Sequence, residues 1–279
     1  MNVEAADVER RLGRSIMPRF HAGFSIGTVA GALLGAVSAR VGLALPVQTT
    51  VVAVGVVAVV LLVVGRFLPV LEEHHAAPRP SVWLAWREPR TLAIGVVVMA
   101  FALAEGIAND WLALAIVDGY DAAPAVGSFG YALFVVAMTT GRFFGGGLTM
   151  RYGRVPVLRA TALLVVAGTL VVVLSPNVVG AMTGALLWGL GASLGFPMGM
   201  TAAGEDETRA ATRVAVVSSI GYCAFLGGPP LVGALGDRVG VQDSLLVALG
   251  AAVIGFVGAS ALARPSQVSG TPSAAARSR

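Results

Sequence analysis

The chain has 279 residues, of which 56% are hydrophobic and 12% charged, with a mean hydropathy of +0.83. That balance excludes an ordinary soluble domain and places the chain among polytopic membrane proteins. The net charge of +4 rests on 19 arginines and no lysine, spaced between apolar runs, so it reports membrane topology and not nucleic-acid binding.

Residues 1–20 carry Glu4, Asp7, Glu9, Arg10, Arg11, Arg14 and Arg19, are too polar to insert, and read as a cytoplasmic loop or surface helix with no signal peptide. Spans are expected at 21–38 and 46–64. Residues 66–90, which include Glu72-Glu73-His74-His75, then form a polar cytoplasmic linker between two bundles. Six further spans are expected at 91–117, 126–148, 156–174, 177–200, 212–235 and 243–263, followed by a disordered cytoplasmic tail at 265–279. About eight transmembrane helices result, in an all-α membrane protein. Alternate loops hold 17 and 2 of the 19 arginines, which puts both termini in the cytoplasm, as an even number of spans requires.

The span at 91–117 contains Ala104-Glu105-Gly106-Ile107-Ala108-Asn109-Asp110-Trp111. An acid in a span costs roughly 2.5 to 3.5 kcal/mol on insertion scales, so Glu105 and Asp110 should face a wet interior. Glu105 and Asn109 share a helical face, and Asp110 lies about 100° further round from Asn109. A carboxyl there can load and unload a proton, with Glu105 the preferred carrier; Asn109 and Trp111 suit hydrogen bonding and stacking against a polar solute such as a sugar, and Trp111 equally suits an aromatic-belt anchor. His21 and Ser25, four apart at the start of the first span, are further candidates for the pathway, with an interfacial histidine as the plainer reading of His21; Tyr131 and Tyr222, with Met138 and Trp188, line the pathway or simply pack. Arg142, near the cytoplasmic end of the fourth span, can snorkel to the surface and reads as structural or gating.

Adjacent Glu72 to His75 cannot easily converge on one ion, so they read as solvated linker, and the single Cys223 excludes a cysteine cage; no metal or other cofactor is expected. No phosphate-binding loop, nucleophile elbow or His-Glu-x-x-His pattern occurs, so an enzyme is unsupported and active transport would be secondary.

Three short stretches resemble one another: Gly35-Ala36-Val37-Ser38-Ala39-Arg40-Val41-Gly42, Gly146-Gly147-Leu148-Thr149-Met150-Arg151-Tyr152-Gly153 and Gly233-Ala234-Leu235-Gly236-Asp237-Arg238-Val239-Gly240. The first and third are six spans apart, and the second is three spans from the third, on the opposite side of the membrane. The plan is one of three-helix inverted repeats nested in six-helix parallel repeats, and a fourth copy would precede Met1.

These repeats, the mid-chain linker and the Gly-x-Leu-x-x-Arg-x-Gly-Arg loop at Gly146, Leu148, Arg151, Gly153 and Arg154 resemble the major facilitator superfamily, with Met150 where that loop usually has an acid. Glu105-Gly106 with Asp110-Trp111, the opening Met1-Asn2-Val3 with Glu9-Arg10, and His21 with Phe24-Ser25-Ile26-Gly27 resemble its rhizopine-permease-like (MosC-type) branch, itself similar to the fucose permeases. The resemblance implies a partial major facilitator fold equivalent to helices 5 to 12: the last two helices of an amino-terminal bundle at 21–65, and a complete carboxy-terminal bundle at 91–264. It implies a secondary transporter of a small, sugar-like or otherwise polar solute, coupled to protons and working by alternating access in the bacterial inner membrane. The loop residues, with Arg142, Asp237 and Arg238, would take structural or gating roles. The competing expectation is a truncated or mis-started chain that forms only a helical membrane module.

Overall fold

The computed structural model describes residues 2–65, 81–206 and 208–264, and every regular element among them is helical. In chain order these are α1 (Asn2–Leu12), α2 (Met17–Arg40), α3 (Leu45–Val64), α4 (Val82–Ala85), α5 (Pro89–Gly119), α6 (Pro124–Tyr152), α7 (Arg154–Leu174), α8 (Val178–Ala192), α9 (Gly195–Ala203), α10 (Ala210–Val239), α11 (Val241–Ser244) and α12 (Leu246–Gly258), closed by a 3-10 turn at Ala259–Leu262. Each expected span is matched by a helix or a closely spaced helix pair. Seven of them are long and apolar enough to cross a membrane. The expected span at 21–38 forms within α2, which is not one of the seven: it also carries Arg19, His21, Ser25 and Thr28.

The segment before α2 is the helix α1, which buries Ala5, Ala6 and Glu9. Residues 66–80, with Glu72 to His75, and the tail 265–279 lie outside the described residues; of the expected linker only the stretch holding α4 is described.

Proline sets several boundaries. Pro46, Pro89 and Pro124 stand in the first turns of α3, α5 and α6, where a missing N–H costs nothing. Pro197 acts differently. It cannot donate to the carbonyl four residues back, Ser193, and its ring would clash there, so the expected span at 177–200 breaks into α8 and α9 with Ser193 and Leu194 between them. A buried carbonyl is thereby released inside the bundle.

α5 is the central helix and packs against α6, α8, α9, α10 and α12, while α7 packs against α8 and α12. α7 and α8 meet backbone to backbone, because a Cβ at Gly168 or Gly184 would collide with the main chain of the other helix. α2 lies against α6 and α9, and α1 crosses the ends of α2, α9 and α10. α3 buries none of its residues.

The last glycines of the three similar stretches share a positive φ. Gly42, Gly153 and Gly240 have φ of 67°, 84° and 90°, a region that side chains with a Cβ disfavour, so each ends its helix and turns the chain.

The ends of the bundle differ chemically. At one end Arg90 and Arg154 both pair with Glu205, Arg209 and Arg213 with Glu88, and Arg10 donates to the Gly204 carbonyl at 2.8 Å. At the other, the Tyr120 hydroxyl and the Gln242 amide close the bundle by donating to the Val172 carbonyl at 2.5 and 3.2 Å.

Candidate functional site

Glu105 is the middle of α5, 16 residues after Pro89 and 14 before Gly119, and is 9% exposed. A lone carboxylate there would be costly, and the fold supplies its counter-charge. Arg142 of α6, 3% exposed, donates through Nη2 to Glu105 Oε2 at 2.6 Å. Its Nη1 donates to the Ser25 hydroxyl at 2.7 Å, and its Nε donates to the Ser193 carbonyl at 3.3 Å. The carbonyl released by Pro197 thus finds a donor. One guanidinium ties α5, α2, α6 and the break between α8 and α9 together.

This corrects the sequence reading of Arg142 as a snorkelling residue. It lies ten residues before Tyr152, too far inside α6 to reach the surface when an acid stands within hydrogen-bond range. Removing it from the topology tally of 17 leaves 16 arginines against 2, with the same sense.

Ser25 and His21 are both buried, as parts of this cluster. The Ser25 hydroxyl is 3.1 Å from the His21 carbonyl, and His21 Nδ1 is 3.1 Å from the Met17 carbonyl. The His21 ring lies 5.5 Å from the Phe196 ring, which is 6.0 Å from that of Tyr222, so three aromatic rings run from α2 through α9 to α10. Below His21, Glu9 caps the start of α2: the backbone N–H groups of Ile16 and Met17 donate to Oε1 at 2.9 and 3.2 Å. Thr201 of α9 donates to the other oxygen at 2.6 Å.

One turn beyond Glu105, Asn109 accepts a hydrogen bond from the Tyr131 hydroxyl at 3.4 Å. Asp110 is exposed and does not join the Glu105 network, as the step round the helix requires. Trp111 is half-buried, with its ring against Gly233 and its Nε1 buried without a partner among the described residues. Met138 and Trp188 are core residues. Between α2 and α6 lies a cleft of about 380 Å³ lined by Ile26, Val29, Ala30, Val136, Thr139 and Thr140, with none of the Glu105 cluster among its walls.

The loop residues divide by end. Gly146 lets the Ser15 carbonyl approach α6, Gly153 makes the turn, and Arg154 pairs with Glu205. Leu148 and Arg151 are exposed, the latter over the Tyr152 ring. Asp237 and Arg238 are exposed at the opposite end and form no ion pair among the described residues. The carboxylates that organise the Arg-rich end, Glu88 and Glu205, escaped the sequence reading. Their signal was acids placed directly beside span boundaries. Glu88 is partly desolvated, which opposes ionisation, but hydrogen bonds from Arg213, Thr91 and Arg209 prevail and lower its pKa to about 2.

Residues 15–212 match the family model of the Major Facilitator Superfamily. An uncharacterized MFS-type transporter of Yersinia pestis is 33% identical over 95% of this chain and 67% of its own length. An uncharacterized transporter of Sinorhizobium fredii is 28% identical over 85% of this chain and 63% of its own, and the membrane protein MosC of Rhizobium meliloti 26% identical over 70% and 48%. The chain therefore spans between about half and two thirds of the length of these relatives. Among solved structures, the transporter FucP in its outward conformation has a TM-score of 0.65 at 16% identity, covering 79% of this chain and 55% of that one. A variant of the E. coli fucose:proton symporter FucP gives 0.64 at 18% identity, over 78% and 55%. Its helices, its partial major facilitator fold and these matches together establish that the chain belongs to the major facilitator superfamily, a family of multi-pass membrane transporters and not of enzymes.

Proposed function

We propose that these residues act in a secondary transporter that moves a small polar solute by alternating access, with Glu105 as the proton-coupling group. The observation that carries the reading is the buried Glu105–Arg142 pair, shared with Ser25 of α2. Buried ion pairs are poor stabilisers compared with apolar packing, so a mid-span pair invites a functional reason. The hydrogen bond from Arg142 goes to Glu105 Oε2. Protonation of the carboxyl would weaken its hold on Arg142, leaving Ser25 and the Ser193 carbonyl to share the guanidinium. Proton binding would then alter the link between α2 and the carboxy-terminal helices.

Asn109 and Tyr131, one turn from Glu105, offer donors and acceptors, and Tyr222, beside Phe196, a ring face, which together suit a hydroxyl-rich solute. Fucose, carried by the FucP neighbours, is a reasonable first member of a panel of uncharged monosaccharides. Glu9 with Thr201, and Arg10 with the Gly204 carbonyl, would form a closure between the two bundles at the Arg-rich end. That end would face the cytoplasm of a bacterial inner membrane by its arginine excess, with Arg154 and Glu205 supporting the closure.

The test is solute-driven proton movement in proteoliposomes, read with an internal pH dye. At least one solute of the panel should drive proton movement with the natural sequence, and Glu105→Gln should abolish it while insertion is unchanged. Full proton movement in the Glu105→Gln protein would overturn the assignment.

A further inference from the structure

Two sets of arginines stand out at the Arg-rich end. Arg90, Arg154, Arg209 and Arg213 are paired with carboxylates of other segments, and Arg10 with Asp7 of its own helix. Arg19, Arg151 and Arg159 are exposed and form no salt bridge among the described residues, yet each guanidinium lies over an aromatic ring: Arg19 over Phe143 at 5.7 Å, Arg151 over Tyr152 at 5.2 Å, and Arg159 over Phe256 at 5.5 Å.

Stacking uses one face of a guanidinium and holds its plane. The N–H groups along its edge stay available, in the fork that matches two oxygens of a phosphate. The location narrows the partner. Arg19 is the third residue of α2 and Arg159 the sixth of α7, both on outward sides of helices that carry the chain into the membrane. Phe143 is nine residues before the end of α6, about 13 Å along the helix axis. At the depth of Phe143 a phospholipid phosphate can meet the snorkelling Arg19 more readily than a soluble polyanion can, and Arg151, at the end of α6, lies at headgroup level.

We propose that Arg19, Arg151 and Arg159 are binding positions for the phosphate of anionic phospholipids, which supply the counter-charge that no carboxylate of the described chain supplies. The sites are spread round the bundle: the first in the seam between α2 and α6, the second at the end of α6, the third between α7 and α12. An anionic headgroup is favoured over a zwitterionic one because each site presents a cation with no acid beside it to receive an ammonium. The inference needs only a membrane-embedded bundle, so it stands apart from the transport reading.

The experiment is native mass spectrometry of the full chain released from detergent containing equal amounts of phosphatidylglycerol and phosphatidylcholine. The natural sequence should retain phosphatidylglycerol in preference. Each of Arg19→Gln, Arg151→Gln and Arg159→Gln should lower that retention by about fivefold at its site, as expected for one arginine at a charged membrane surface. Arg238→Gln, at the opposite end, should leave it unchanged. Equal retention of the two lipids by the natural sequence, unchanged phosphatidylglycerol retention in all three variants, or an equal loss in Arg238→Gln would overturn the proposal.

Discussion

α3 and α5 are both long apolar helices, yet α3 buries none of its residues and α5 buries 72% of its most apolar window. The difference lies in the side chains. From Val51 onward α3 is valine, alanine and leucine with a single glycine, a surface that lipid can cover on every side. α5 carries Glu105, Asn109 and Asp110 among alanines and glycines, and its neighbours approach closely enough to satisfy one of those charges. Apolarity alone puts a helix in the membrane; polar residues and small ones decide which helix becomes the axis of a bundle.

The starts of the two helices differ in the same way. Neither start has a side-chain cap, but α5 begins at Glu88, a carboxylate held by Arg209, Arg213 and Thr91, whereas α3 begins after the apolar Ala44.

This contrast can be broken most forcefully at the ion pair. Arg142→Met leaves Glu105 buried and unpaired, and should lower unfolding stability in detergent by about 3 to 5 kcal/mol. A variant as stable as the natural sequence would mean that water already serves the carboxylate. Next comes Leu112→Ala, at a fully buried position of α5, expected to cost about 2 to 5 kcal/mol by the same denaturation measurement. A smaller effect concerns the start of α5. The folded pKa of Glu88, at about 2, lies below its ordinary 4.5, so its contribution is complete above pH 4.5 and is lost as pH falls toward 2. Thermal midpoints across that interval should fall less steeply for Glu88→Gln than for the natural sequence. The smallest effect belongs to α3: Leu61→Ala, 68% exposed, should change stability by no more than about 0.5 kcal/mol. A loss as large as that of Leu112→Ala would show that α3 has a packing partner.

Much of this architecture was legible in the residues. Apolar run length gave the helices, and the glycine-ended stretches marked turns that do adopt positive φ at Gly42, Gly153 and Gly240. The cost of a buried acid pointed Glu105 inward. Its partner was not legible, because Arg142 is 37 positions away and nothing in either helix states which faces will meet. A ten-residue distance from the end of α6 was the available warning that Arg142 was no loop arginine. The break between α8 and α9 could have been read from Pro197, since the carbonyl it orphans is fixed by counting back four residues. That Arg142 would take that carbonyl depends on packing three helices at once. Asp110, by contrast, was already separable from Glu105 by the turn of the helix, and it is the exposed acid of the two.

The claim that Glu105 couples protons to solute movement is tested most directly by separating exchange from accumulation in one proteoliposome preparation. With labelled solute on one side and unlabelled on the other, the Glu105→Gln protein should exchange solute at a rate close to that of the natural sequence. Under an imposed pH gradient it should fail to accumulate it. Accumulation by Glu105→Gln equal to that of the natural sequence would contradict the account.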